Sequence, residues 1–492
     1  MPRRSDTARQ GLADVFRALR ATMRKDRGLS GSFDRLATLS WIMLLKLVDD
    51  TDGAREAAQQ GGAAFVPTIP PPYRWRDWAA RRGGLRGEAL KQFVDGAGAL
   101  RPGGTRGPSL LAALRDPGTA GALATVFRDL TNRMESAELL GAVLDQVDGV
   151  CFTDTEQRAA LCHLYEALLK EMHSAGSAGE FYTPRPIVRF MVAALNPRLG
   201  EVVEDVAAGS GGFLVEAYAR LARQCQTPED HLALQTWCIR GGDAKPLPLL
   251  MATLNLMLHG LEAPRLAYGN ALRGASAPEM ADVLLTNPPF GGREDVSGLG
   301  APEGGAATSD TALLLLQLLA RKLRRPGGRA SVVVLNGTLF AGGAAARVRE
   351  CLLTICNLHM IVRLPSGAFA PYSDVPANIL FLDAAGPTRE VWFYEMPPPQ
   401  GRQRYTKTNP VGDAAFADCL AWWHARAQHA HAWRVPFAEI AADGYSLDRK
   451  NPHRAIGAAP RSPLQIADSV LQKERQIIDL LSEIKASLRD AA

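Results

Sequence analysis

The chain has 492 residues, of which 47% are apolar and 22% charged, so disorder, collagen and fibrous repeats are excluded and two or three folded domains are expected. Its 56 basic and 51 acidic residues leave a formal charge of only +5, which permits a nucleic-acid partner without arguing for one. No apolar run reaches the roughly 18 residues of a membrane helix, and no signal-peptide stretch follows the N-terminus, so no membrane partner and a cytoplasmic location are expected. Seven cysteines without a Cys-x-x-Cys pair suggest neither a metal site nor a disulfide framework.

From about residue 10 to 50 apolar positions recur at helical spacing, as in residues 12–23 and 33–50. A Pro/Gly/Arg-rich stretch follows at 68–87, where Arg alternates with Tyr73, Trp75 and Trp78. That interleaving suits a nucleic-acid surface, although buried tryptophans in a packed core are the commoner outcome. Helical pattern resumes through residues 159–172, with His163 and His173 lacking metal-ligand partners. Near residue 200 the texture changes. Strand-like runs at 201–206, 236–243, 265–270, 282–287, 329–335, 358–365, 378–383 and 390–396 enclose several helix-like segments, which predicts a mostly parallel sheet covered on both faces. The last two runs have no helix between them, so that end of the sheet is expected to be antiparallel. A connector at 397–462 then leads to a terminal helix at 463–492. There, Ala467, Val470, Ile477, Leu481, Ile484 and Leu488 step by threes and fours, interrupted only at Glu474, as in a heptad seam.

Two segments carry chemistry. Residues 201–221 read as a strand ending in Asp205, a turn containing Gly209, Ser210 and Gly211, and a helix. This geometry lets backbone approach a nucleotide-like ligand closely. Leu214 stands where the dinucleotide fingerprint needs a third glycine, and no phosphate-loop Gly-Lys-Ser/Thr occurs, so NAD and ATP are disfavoured. The second segment, residues 282–292, ends an apolar strand with Asn287, Pro288, Pro289 and Phe290. Two prolines cannot extend a sheet ladder, so the strand stops and displays Asn287 at its carboxyl edge, where open α/β sheets bind ligands. Asn287 Oδ1 and the Pro288 carbonyl are both hydrogen-bond acceptors, and Phe290 offers an aromatic face beside them.

Together these segments resemble the class I S-adenosyl-L-methionine-dependent methyltransferases. With residues 179–192, 241–260, 324–340 and 363–383, the order and wording are similar to the modification subunit of type I restriction-modification systems over most of the chain. The resemblance implies an α/β class I, Rossmann-like methyltransferase domain at 156–396 with a mixed seven-stranded sheet, after a helical N-terminal domain at 1–155. It favours adenine. It implies that Tyr182, Thr183, Pro184, Asp205, Gly209, Ser210 and Gly211 hold the methionine part of the cofactor, that Asp243 meets the ribose, and that Asn270 lies near the adenine ring. Double-stranded DNA and a DNA-specificity subunit are the implied partners, with two modification subunits per complex; a restriction or translocase subunit stays open. Val206 and Ala208, Asn270, and Leu335-Asn336-Gly337 depart from the family's usual residues. The alternatives are methylation of RNA or a protein glutamine, and a degenerate subunit that does not methylate.

Overall fold

The computed structural model describes residues 4–59, 65–174, 182–273, 279–295 and 306–453, with scattered helical positions between 467 and 481. A single large sheet holds nine strands: β1 (Val203–Asp205), β2 (Ile239–Asp243), β3 (Arg265–Tyr268), β4 (Val283–Thr286), β5 (Arg329–Leu335), β6 (Asn357–Arg363), β7 (Ala377–Asp383), β8 (Glu390–Glu395) and β9 (Ala432–Pro436). Their order is β9-β8-β6-β7-β5-β4-β1-β2-β3. β1 runs parallel to β2 and β4, β4 to β5, and β2 to β3. β7 is antiparallel between β5 and β6.

The expected seven strands are therefore present as a contiguous block from β3 to β6, and the sheet is larger than expected by two. β8 pairs parallel with β6, and β9 pairs antiparallel with β8, its residues 432–436 lying inside the segment read as a connector. β7 and β8 run in opposite directions, as their helix-free connection suggested, but β6 lies between them. The physical reason is edge protection. Beyond β7 the apolar strand β6, whose residues 360–362 are buried, would otherwise expose a row of unpaired backbone groups. β9 is a short final edge ended by Pro436, which cannot donate to a further strand.

Helices cover both faces, so β4 is buried along its length and reads as continuous Val-Leu-Leu-Thr without alternation. On one face α4 (Arg185–Leu195) and α5 (Gly212–Ala222) bring Ile187, Met191, Phe213 and Leu214 onto Val203, Leu285 and Val333. On the other, α7 (Thr311–Lys322) and α8 (Ala344–Ile355) set Leu315, Leu319, Val348 and Leu352 against Leu284, Val332 and Val334. Between α5 and α7 in the chain, α6 (Pro246–Leu258) is buried continuously from Pro248 to Leu258. Its side chains Leu250, Met251 and Leu254 belong to one core with α1 (Arg4–Met23), α2 (Ser32–Ala58) and α3 (Thr155–Ser174); α3 lies beyond the expected boundary at 155, but its Leu161, Tyr165 and Leu169 pack with the N-terminal helices, and α6 joins this helical layer to the sheet. An all-round apolar helix is what such a double contact requires.

In the Arg- and Trp-rich stretch, Trp75 and Trp78 are buried, their indoles donating to Asp148 and to the Tyr73 carbonyl. Arg74 pairs with Asp77, Arg76 with Asp49 and Arg86 with Asp145. These residues pack the helical domain. His163 is exposed, and the side chain of His173 lies outside the described residues. No helix among the described residues is long and apolar enough to cross a membrane. The cysteines are free. In the terminal segment Ala467, Ile477 and Leu481 of the seam are helical and exposed, whereas Val470, Ile484 and Leu488 lie outside the described residues.

Candidate active site

The chain runs from β1 outward through β2 and β3, then returns to place β4 on the other side of β1. At such a reversal the connections leaving the two central strands diverge and open a crevice at their carboxyl ends. The register Glu204↔Leu284 sets the end of β1 beside that of β4, so the turn after Asp205 and the Asn287-Pro288-Pro289-Phe290 segment meet there. One pocket is lined by Tyr182, Thr183, Asp205, Gly209, Ser210 and Asn287, residues drawn from three separate parts of the chain.

The turn is held from beneath. Gly209 and Gly211 adopt φ +55° and +79°, the left-handed region that favours glycine. A Cβ at Gly211 would meet the Cα and Cβ of Ala252 on α6 at 3.2 Å. The Ala208 amide donates to the Gly242 carbonyl (2.9 Å) and the Gly211 amide to that of Ala208 (2.8 Å). Asp243 Oδ2 accepts from the Gly209 amide at 3.0 Å, and its Oδ1 from the Lys245 amide at 2.9 Å. Asp243 therefore braces the turn and does not line the pocket. Burial raises its carboxyl above the ordinary range, opposed by those two amides.

Sequence reading missed a second brace. Asn255 on α6 donates to the Ser210 carbonyl (2.9 Å) and to Glu166 of α3 (3.3 Å). Glu166 in turn forms a forked ion pair with Arg185, whose Nη1 donates to the Gly212 carbonyl at 2.8 Å. This network ties the N-terminal helices, the start of α4 and the glycine turn together. Its only signal in the sequence is a charged residue on each of two successive helices, 19 residues apart, and the partner Asn255 lies 89 residues from Glu166.

Two acceptors on residues that line the pocket lack hydrogen-bond partners. Asp205 is buried; its Oδ1 accepts from the Ala207 amide (3.1 Å), and its Oδ2 has no hydrogen-bond partner. Desolvation pushes this carboxyl up to about 7, with the Ala207 amide pulling the other way. Asn287 Oδ1 is likewise buried and unpartnered, while its Nδ2 donates to Thr183 Oγ1 at 3.0 Å. A buried acceptor without a donor is costly, and these two belong to residues of one pocket, where a ligand's donors could meet them.

The remaining predicted residues surround this pair. Tyr182 is buried against Tyr372, ring centroids 4.9 Å apart, and Pro184 precedes α4. Phe290 is half-buried and meets Phe369 edge to face at 5.8 Å. Phe369 and Tyr372 come from the loop after β6, so this loop walls the crevice on the side of β5, β6 and β7. Asn270, at the end of β3, does not line the pocket. Its Nδ2 donates to Glu294 (2.8 Å) and its Oδ1 accepts from the Leu272 amide (2.9 Å), so where an acid is usual an amide holds an acid instead. The glycine-rich segment 291–310 is pinched at its base, the Thr311 amide donating to Gly292 and that of Glu294 to Ser309; residues 296–305 lie outside the described residues.

Residues 156–458 match the N-6 DNA methylase family. The chain belongs to that family. Its relatives include the methylase subunit of the Escherichia coli type I restriction enzyme EcoEI, 38% identical over 457 residues that cover 90% of this chain and 91% of the relative. A solved modification subunit from Vibrio vulnificus YJ016, attributed to a type I restriction enzyme, is 48% identical with a TM-score of 0.80, covering 90% of this chain and 97% of the other. A chain from a structure of a type I restriction-modification system, solved to explain complex assembly and conformational transition, is 34% identical with a TM-score of 0.79 over 98% of this chain and 99% of its own. The activity that accompanies this N-6 DNA methylase family is adenine-specific DNA methylation.

Proposed function

We propose that the chain transfers a methyl group from S-adenosyl-L-methionine to N6 of adenine in double-stranded DNA, as the modification subunit of a type I restriction-modification complex. The observation that carries this reading is the buried, unpartnered Asn287 Oδ1 in the same pocket as Asp205 and the glycine turn. The residues present fit the cofactor: the unpartnered carboxylate oxygen of Asp205 suits the ammonium of a methionine group, and the left-handed Gly209 and Gly211 keep the turn free of side chains. When bound, the cofactor would supply an electrophilic methyl group, its S–C bond breaking to leave a neutral thioether as the N–C bond forms, and the methylated amine then loses one proton to solvent.

The chain's own residues do the rest. Asn287 Oδ1 and the Pro288 carbonyl accept the two amine hydrogens and draw the nitrogen from planar towards tetrahedral, so that its lone pair is no longer delocalised into the ring. The prolines restrict the backbone that carries both acceptors before reaction, which is positioning and preorganised electrostatics with no covalent intermediate. The adenine must leave the duplex to reach this crevice, and Phe290 offers its ring face once the base enters. None of Val206, Ala208 or Asn270 disturbs the hydrogen bonds that shape the turn, so the departures from the usual wording leave the site assembled. Single-molecule sequencing of DNA from a host expressing this chain with its neighbouring genes should reveal N6-methyladenine at one defined sequence; unmodified DNA, or cytosine N4 modification, would refute the assignment.

Sequence specificity needs base-edge contacts from some module, and the residues after β8 contain no recognisable DNA-reading motif. A separate specificity subunit supplies them in this reading, docked through the terminal helix. Leu471, Ile477, Ile478 and Leu481 are each more than half exposed there, which suits a partner's helices. Ending the chain at Pro460 should abolish co-purification with that subunit and leave cofactor binding intact. A truncated chain that still assembles would exclude the helix as the handle.

A further inference from the structure

Asn287 is useful to an amine only if its carbonyl, and not its amino end, points at the reacting nitrogen. A carboxamide is nearly symmetric in shape, and a half-turn about its last torsion would present two donors to a substrate that is itself a donor. The main chain around it is restricted: Asn287 precedes Pro288, which biases it to extended geometry, and Pro289 follows. The free variable is therefore the side-chain amide. Among the described residues that amide makes one hydrogen bond, from Nδ2 to Thr183 Oγ1 at 3.0 Å, and its Oδ1 is buried without a partner, on a residue that lines the pocket.

We propose that Thr183 is a positioning residue for methyl transfer, acting through Asn287: its hydroxyl takes the donor end of the amide and so leaves the carbonyl facing the target amine. The inference rests on the amine-methylating reading above. Thr183 is well placed for this. It precedes Pro184, which restricts its own backbone, and it sits between Tyr182, packed on Tyr372, and the first turn of α4. Accepting from Nδ2 also polarises the amide and makes Oδ1 a stronger acceptor. The role differs from holding the cofactor, because it runs through the hydrogen bond to Asn287. It also gives the Tyr-Thr-Pro segment, over a hundred residues upstream, a direct part in the geometry of the transfer.

The test compares wild type, Thr183→Val and Thr183→Ser in the complex with its specificity subunit, on duplex DNA carrying the recognition site. The readouts are the single-turnover methylation rate constant, cofactor affinity by calorimetry and DNA affinity. Valine keeps the shape and removes the acceptor, leaving a half-buried amide donor without its partner. Its rate should fall by about 10- to 100-fold. Affinity for cofactor and for DNA should stay within about threefold of wild type, and serine, which keeps the hydroxyl, should recover the rate to within about threefold. A valine variant as fast as wild type would overturn the inference, as would a loss confined to cofactor affinity, since the hydroxyl would then serve the cofactor. A wild-type complex that binds cofactor and DNA yet transfers nothing would instead overturn the methyltransferase reading, and the inference with it.

Discussion

Asn287→Ala should lower methyl transfer in the assembled complex by about 100- to 1000-fold, the usual loss when one preorganised hydrogen-bonding group at a reacting centre is removed. Cofactor affinity should stay close to wild type. The side chain's hydrogen bond goes to Thr183 Oγ1, and its other end is an acceptor with no partner in the free protein. Removing it therefore deletes an interaction made only when the amine is present, the kind that lowers the rate without weakening ground-state binding. Tritiated-methyl incorporation and calorimetry on the same preparation separate the two quantities. Full activity of the variant would sink the mechanism, because no other side chain in the pocket occupies the end of β4.

Asp205 should control cofactor binding through its charge. With the carboxyl near 7 in the free protein, a cationic ligand group selects the ionised form. Affinity should then be level above about pH 7 and fall by up to tenfold for each unit below it, as the proton must leave before the ligand binds. For folding the sign is reversed. The unfolded carboxyl ionises near the ordinary aspartate value and the folded one near 7, so the stability this group confers is full below about pH 4 and is lost as pH rises to 7. Asp205→Asn should flatten both profiles, and Asp205→Ala should weaken cofactor binding by about 10- to 100-fold, the range for a hydrogen bond to a charged group. Calorimetry from pH 5.5 to 8 and thermal unfolding of the cofactor-free protein read the two effects. An affinity independent of pH, or equal in wild type and Asp205→Ala, would remove Asp205 from the cofactor site.

The strand-turn-helix at Asp205 to Gly212 and the strand stop at Asn287 were legible in the sequence because both are local. A left-handed turn needs glycine, and two prolines cannot continue a ladder; neither statement depends on distant residues. Eight of the nine strands were legible for a similar reason, their apolar runs being long enough to stand out. The ninth, Ala432–Pro436, was not: it is short, and only its pairing with β8 makes it a strand. Pairing also decided the size of the sheet, since two runs without a helix between them can be neighbours or can flank a third strand.

The motif residues themselves divided along the same line. Tyr182, Thr183, Asp205 and Asn287 share a pocket because β1 and β4 are neighbours in a sheet whose order reverses between them, a fact of topology that no local pattern contains. Asp243 was legible as a strand-end acid, but only the packed structure shows both its oxygens engaged by backbone amides. The Arg185–Glu166–Asn255 brace and the Asn287–Thr183 contact were invisible for the same cause: each joins groups far apart in sequence, and a hydrogen bond depends on distances of about 3 Å that tertiary packing alone sets. What the sequence by itself determined was which residues carry the chemistry and which backbone shapes present them. What the tertiary structure decided was which of those residues meet, which of their polar atoms are already satisfied, and which are left open for a ligand, because desolvation and hydrogen-bond partnership are properties of the packed interior and not of the chain.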